Sequence, residues 1–280
     1  MNERSRRNFL KLTAGAAAAS SFPSMGLLGA SGARRKDVLF ELGMASYTLR
    51  AFTLDRALEM TKRLGLKRIT LKDMHLPLDS TDTQIRSAVE KVKAAGLSLS
   101  SCGVIYMKTE EEARRAFAYA KSAGIGMMVG VPDASVLDLT ERLVKETGVA
   151  LAIHNHGPGD QRFPGPESAY RLLEGRDKRM GLCIDVGHTR RLGLDPAIEA
   201  ERFFDRLLDV HLKDVSAASE RGTTVEIGRG VIDIARLLRT LLALGYSRTL
   251  HFEHEKDEKD PLPGVAESVG YSRGVLSVLS

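Results

Sequence analysis

"ETGVALAIHNH", residues 146–156, holds the pattern from which the fold of the whole chain is read. A helical stretch stops at Gly148, the apolar run 149–153 follows, and the run ends on His154, Asn155 and His156. Glycine just past a helix end adopts the left-handed conformation at little cost. An unbroken apolar run of this length reads as a strand covered on both faces. Three polar residues then stand at the strand's C-terminal tip, where a core would have no use for them.

The same order recurs on both sides: "RLGLKRITL" around Gly65, "AAGLSLSSCGV" around Gly96, "SAGIGMMVGV" around Gly124 and "ALGYSRTLHFE" around Gly245. Helix starts are marked too, by Thr109 with Glu112 as a capping box and by Asp195 before Pro196 as an N-cap and first turn. The pattern predicts strands at 39–46, 68–71, 97–104, 127–131, 149–155, 181–185, 208–212 and 249–253, nearly all followed by helical sequence. Alternation of this kind in an α/β chain predicts a (β/α)8 TIM barrel, one domain over 34–280. The competing architecture is an open doubly wound sheet, which the absence of a glycine-rich dinucleotide fingerprint after the first strand disfavours.

Residues 1–33 are set aside from the fold. "SRRNFLK" at 5–11, a weakly apolar segment at 12–19 and small residues up to Ala33 read as a twin-arginine export signal, which predicts a periplasmic protein. Of the net charge of +5, three positive charges fall in this segment and two remain for the barrel. A nearly neutral domain gives no electrostatic case for nucleic acid. No stretch of the mature part approaches the length of a membrane span. Two cysteines, Cys102 and Cys183, make no disulfide framework, and Cys183 reads as core packing. The oligomeric state is left open, a homo-oligomer included.

Active sites of such barrels lie at the C-terminal strand ends. Polar residues gather there: Lys72, Asp73 and His75; His154, Asn155 and His156; Asp185 and His188; His211, Lys213 and Asp214; Glu253 and Glu255. Strand parity puts His154 with His156, His211 with Lys213, and His251 with Glu253 and Glu255 on shared faces. One residue from each of four consecutive strands, His154, Asp185, His211 and Glu253, then converges on one divalent cation. Two imidazoles with two carboxylates suit manganese, cobalt, zinc or iron better than calcium. Glu253, His188, Lys213 and His156 are the candidate catalytic residues, and His75, Asp73 and Glu255 the candidate substrate contacts. An ion pair of Lys213 with Asp214 is the structural alternative for that lysine. "EIGRGVID" at 226–233 reads as a loop that either lines the substrate or simply turns the chain. With no tryptophan and few aromatic residues, stacking against a long oligosaccharide has little support, so a small substrate is expected.

"AIHNHG", "CIDVGH", "VHLKD", "EIGRGVID" and "HFEHE", in this order and spacing, resemble the xylose isomerase-like barrel superfamily of sugar isomerases, ketose 3-epimerases and apurinic-site endonucleases. The resemblance implies metal ligation by Asp185, His211 and Glu253, a place near the substrate for His188, and a base role for Glu253. His154 departs from the pattern, because the epimerases carry there a glutamate that binds metal and handles a proton. The expected activity is a metal-dependent isomerase or epimerase that abstracts a proton beside a carbonyl of a small keto-sugar, through an enediolate. Elimination from a 3-keto-glycoside by a lyase is the alternative on the same site. A non-catalytic sugar-binding barrel is a further one, and the endonuclease reading conflicts with the charge.

Overall fold

The computed structural model describes residues 40–279, so the expected export signal lies outside the described residues. The barrel strands are β1 (Glu41–Ala45), β2 (Arg68–Leu71), β3 (Ser98–Met107), β4 (Met127–Pro132), β5 (Ala150–His154), β6 (Met180–Asp185) and β7 (Leu207–Leu212). A short hairpin of β8 (Asp214–Val215) and β9 (Thr224–Val225) intervenes before β10 (Thr249–Phe252) closes the barrel. Eight strands pair in parallel in the closed order β1-β10-β7-β6-β5-β4-β3-β2. This is the expected TIM barrel.

The helices around it are α1 (Leu54–Arg63), α2 (Asp82–Ala94), α3 (Glu110–Ser122), α4 (Leu137–Thr147), α5 (Pro166–Leu172), α6 (Val186–Arg191), α7 (Pro196–Arg202), α8 (Ile234–Ala243) and α9 (Leu262–Leu279). Each local signal has its structural counterpart. Gly148 takes φ +76 past the end of α4, and its N–H closes the helix on the Val144 carbonyl. Thr109 and Glu112 form the reciprocal capping box of α3, and the Asp195 side chain accepts from the Ala197 N–H at the start of α7. In α8 the buried residues Ile234, Leu237, Leu238 and Leu241 fall at helical spacing. Each full burial of this kind is worth about 1.5–3 kcal/mol.

β5, β6 and β7 are buried along their whole length, as a parallel sheet covered by helices requires. Two elements differ from the sequence reading. β3 continues to Met107, three residues past the expected end, with a register irregularity against β4 between Cys102 and Ile105. The β8–β9 hairpin, two residues per strand, is too short to leave a periodic signal. Both cysteines are buried and free.

Inside the barrel lies a buried polar layer. His251 bonds the Asp209 carboxylate through Nδ1 at 2.9 Å and Ser100 Oγ through Nε2 at 2.7 Å. The Cys183 thiol donates to the other Asp209 oxygen at 3.8 Å, and burial pushes this thiol well above its ordinary value. Cys183 therefore packs into the barrel core, as expected.

Candidate active site and metal centre

Register carries four side chains to one point. His154 ends β5, Asp185 ends β6, His211 stands opposite Asp185 on β7, and Glu253 follows β10 with its N–H bonded to the Leu212 carbonyl. His154 Nε2 lies 3.1 Å from His211 Nδ1 and 3.6 Å from Asp185 Oδ2, while His211 Nδ1 lies 3.2 Å from Glu253 Oε2. One ligand atom from each of the four falls within 4.8 Å of all the others. Four ligands held about 2.0–2.2 Å from a common centre in a tetrahedron stand about 3.3–3.6 Å apart. Three of the six edges, at 3.1, 3.2 and 3.6 Å, are close to that size.

The polar bookkeeping also fits an ion. Asp185 Oδ2, fully buried, has no hydrogen-bond partner among the described residues. Lys213 Nζ lies 2.9 Å from this oxygen, an ion pair without hydrogen-bond alignment. The same ammonium bonds Glu253 Oε2 at 2.9 Å and pairs with Glu255 Oε1. Three carboxylates against one ammonium leave two negative charges, the amount one divalent ion neutralises. Two ring nitrogens 3.1 Å apart likewise offer lone pairs to a shared centre.

Burial and charge set the protonation of this cluster. Burial drives the His154 ring down to about 3, so it is a neutral imidazole at physiological pH. Burial also opposes charge on His211, but the adjacent Glu253, with Asp209 and Asp185 behind it, holds that ring up to about 9 in the absence of an ion. For Asp185 and Glu253, burial pushes upward and is outweighed. His188, charged only in the acid range where Asp185 titrates, and then Lys213 hold Asp185 below its ordinary value, and the charges of Lys213 and His211 keep Glu253 well below its ordinary range. Lys213 is held charged against its burial by Asp185, Glu253 and Glu255.

Local structure explains how these residues are held. Asp185 Oδ1 caps α6 by accepting the His188 N–H at 2.7 Å, which turns Oδ2 toward the cluster. Asn155 ties β5 to β6, accepting the Asp185 N–H at 3.0 Å and donating to Thr189. Gly187 is dictated by close approach, because a Cβ there would stand 2.4 Å from Lys213 Cγ. Lys213 and Asp214 do not pair with each other. The Asp214 carboxylate accepts the N–H groups of Val215, Gly228, Gly230 and Ile232, so it anchors the 226–233 loop.

Beyond the tetrad, a cavity of about 460 Å³ is lined by Gly187, His188, Lys213, Val225 and Glu255, among others. His188 Nε2 stands 4.0 Å from Asp185 Oδ2, and burial lowers its ring below the ordinary value. His156 packs edge-on to His154, with ring centroids 4.5 Å apart, and bonds the Tyr106 hydroxyl at 3.1 Å. Tyr106 went unnoticed in the sequence because the strand carrying it was expected to end at Val104.

The structure does not bring His75 and Asp73 into this group. Both ring nitrogens of His75 are engaged, with Ser46 Oγ at 3.0 Å and the Phe52 carbonyl at 3.1 Å, and the residue lines a separate surface cleft with Leu54 and Pro77. Asp73 is exposed beside Lys72. Neither residue lines the cavity beside the tetrad: a histidine past a strand end can be consumed by the turn itself.

The family model described as xylose isomerase-like TIM barrel matches residues 50–274. The rhizopine catabolism protein MocC of Rhizobium meliloti is 32% identical over 149 residues, covering 48% of this chain and 45% of that protein. Inosose dehydratase of Geobacillus thermodenitrificans is 30% identical over 147 residues, covering 46% and 47%. The matched regions thus span about half the length of these curated relatives. Among solved structures, L-ribulose 3-epimerase superposes with a TM-score of 0.70 at 17% identity over 86% of this chain and 95% of that one, a likeness of fold.

Proposed function

Because the chain belongs to the xylose isomerase-like TIM barrel family, we propose that it is a divalent-metal-dependent enzyme that removes a proton beside a carbonyl of a small keto-sugar. The observation that carries this reading is the convergence of His154, Asp185, His211 and Glu253 on one buried point, with Lys213 balancing the carboxylates. These four residues would hold manganese, cobalt, zinc or iron. When bound, such an ion polarises the carbonyl and stabilises the enediolate left by proton loss.

The protein's own residues supply the rest. Glu253, kept ionised by Lys213, takes the proton from the carbon beside the carbonyl. Lys213 pairs with Asp185, Glu253 and Glu255 and balances one of their three negative charges. His188, neutral and facing the cavity, donates to a substrate oxygen, and Glu255 accepts from a substrate hydroxyl. His156 closes the side of the site beside His154.

His154 bears on the outcome of the reaction. A neutral imidazole in place of a carboxylate leaves Glu253 as the single carboxylate base at the metal, without a second one for the opposite sugar face. One base suffices to isomerise a keto-sugar or to start an elimination. The elimination reading gains support from the likeness to a protein named as a dehydratase. The test is incubation of the metal-loaded protein with keto-sugars and 3-keto-glycosides in heavy water. Deuterium entering the substrate carbon, abolished in Glu253→Gln, supports proton abstraction; an isomeric ketose among the products marks an isomerase, and an unsaturated ketone marks a lyase. Bound metal and bound sugar without exchange would reduce the protein to a sugar-binding barrel.

Export belongs to the same proposal: residues 1–33 would direct the folded protein through the twin-arginine route to the periplasm. Cell fractionation with Arg6→Lys and Arg7→Lys together tests it, with retention in the cytoplasm expected.

A further inference from the structure

We propose that the substrate of this site carries a carboxylate group and that Arg191 is the residue that reads it, an inference that rests on the metal-site reading above. Three long cationic side chains line the cavity: Lys213, Lys256 and Arg191. Lys213 is neutralised by Asp185, Glu253 and Glu255. Lys256 pairs with Glu226 at 2.7 Å and lies 3.6 Å from Asp257. Arg191 has no carboxylate partner among the described residues. Its guanidinium meets only the Glu220 carbonyl, at 2.9 Å from Nη2, and His188 Nδ1, at 3.4 Å from Nη1.

This arginine is not a loose surface side chain. It is the last residue of α6, half-buried, with Nε shielded from solvent and unpartnered. A guanidinium N–H shielded from water without a partner is costly to hold. The cost is recovered when an anion arrives. The neighbour that Arg191 touches, His188, is itself three residues past Asp185 and faces the same cavity, so an anion held at Arg191 belongs to a molecule reaching toward the metal ligands.

Charge counting selects the class of anion. With a divalent ion present, the three carboxylates and Lys213 sum to zero, Lys256 is paired with Glu226, and Arg191 is the one cation lining the cavity without a carboxylate partner among the described residues. One carboxylate matches it. A phosphate monoester, with about one and a half to two negative charges, would leave a surplus and commonly calls on a helix N-terminus or several cations. A cavity of about 460 Å³ admits a sugar acid of one ring. The substrate class is therefore a keto-sugar acid, of the uronate kind, bound with its carbonyl toward the tetrad and its carboxylate toward Arg191.

Calorimetric titration of the metal-loaded, full-length protein tests this without any turnover, with glucuronate and galacturonate as probes beside glucose, galactose and glucose 6-phosphate. At least one uronate should bind about 10-fold or more tighter than its neutral counterpart, as a hydrogen bond to a charged group allows. Arg191→Gln should erase that preference while its unfolding temperature stays at the wild-type value, and Arg191→Lys should restore only part of it. Uronates binding no better than the neutral sugars, including binding of neither, would overturn the proposal, as would a preference that survives in Arg191→Gln. Tighter binding of glucose 6-phosphate would overturn the carboxylate assignment. Because deuterium exchange is a separate measurement, an inactive protein that still selects uronates through Arg191 counts against the enzyme reading and not against this one.

Discussion

The two halves of the barrel follow the same backbone rules and differ in what stands at their strand ends. β1 to β4 finish on Ala45, Leu71, Met107 and Pro132, whereas the half from β5 to β10 brings His154, Asp185, His211 and Glu253 to its rim. His75 is the informative exception in the first half. Like His154 it is a buried histidine near a strand end, 6% exposed against 2%. Yet the two rings do opposite work, because both His75 nitrogens are satisfied by Ser46 and Phe52 while His154 turns Nε2 toward another ring nitrogen. Position and burial do not separate the proposed ligand from the strut; the partners of the ring distinguish them.

The largest expected break in this contrast comes from Asp185→Asn. It would remove one of the two carboxylate charges of the proposed metal site, and elemental analysis should find metal affinity reduced more than about 100-fold, beyond what loss of a ligand's supporting partner costs. Turnover should fall with it. Chelation probes the same half from outside. A metal present at 100 times its Kd stabilises the native state by about 2.7 kcal/mol, so its removal should lower Tm by roughly 5–10 °C. If Asp185→Asn keeps stoichiometric metal, or the chelator leaves Tm unmoved, the two halves do not differ in the way described.

His75→Ala should behave in the opposite sense. Losing two buried hydrogen bonds costs about 1–3 kcal/mol of stability, read from urea unfolding, while metal content stays at the wild-type level. A pH dependence accompanies it. Burial holds the His75 ring below its ordinary value, so the unfolded chain takes up this proton first. The stability that the neutral ring contributes is present above pH ~6.5 and declines as the pH falls below it. His75→Ala should flatten that part of the profile.

Much of the frame was legible in the sequence for physical reasons. A helix that stops in the left-handed conformation asks for glycine, so Gly65, Gly96, Gly124, Gly148 and Gly245 announced the strands that follow them, and all five carry positive φ. Strand parity and the rule for strand ends then brought His154, Asp185, His211 and Glu253 together, with Lys213 beside them. What stayed hidden depends on contacts between distant segments. Asp209 and His251 lie one layer beneath the rim, where no tip position flags them. Asp214 next to Lys213 suggested an ion pair, but four N–H groups, three of them more than ten residues away, claim its carboxylate. Arg191 reads as an ordinary basic residue in the last turn of a helix until the charges around its cavity are counted.

The smallest effect sharpens the boundary of the active half. Tyr106 belongs to β3, in the quiet half, yet its hydroxyl bonds His156 Nε2 at 3.1 Å and its ring stacks on the imidazole at 5.7 Å between centroids. Among the described residues it is the one strand-end side chain from β1 to β4 that bonds a histidine of this cluster. The contact is partly open to water, since Tyr106 is 41% exposed, so the net worth of its hydrogen bond is about 0.5–1 kcal/mol. Tyr106→Phe keeps the stacking and deletes the bond. KM should rise about 2- to 5-fold with kcat and metal content unchanged, because in the proposed site His156 walls the side beside His154 and is not one of the four residues that would hold the metal. A fall in kcat as large as that of Asp185→Asn would instead mean that the chemistry reaches across β4 into the first half of the barrel.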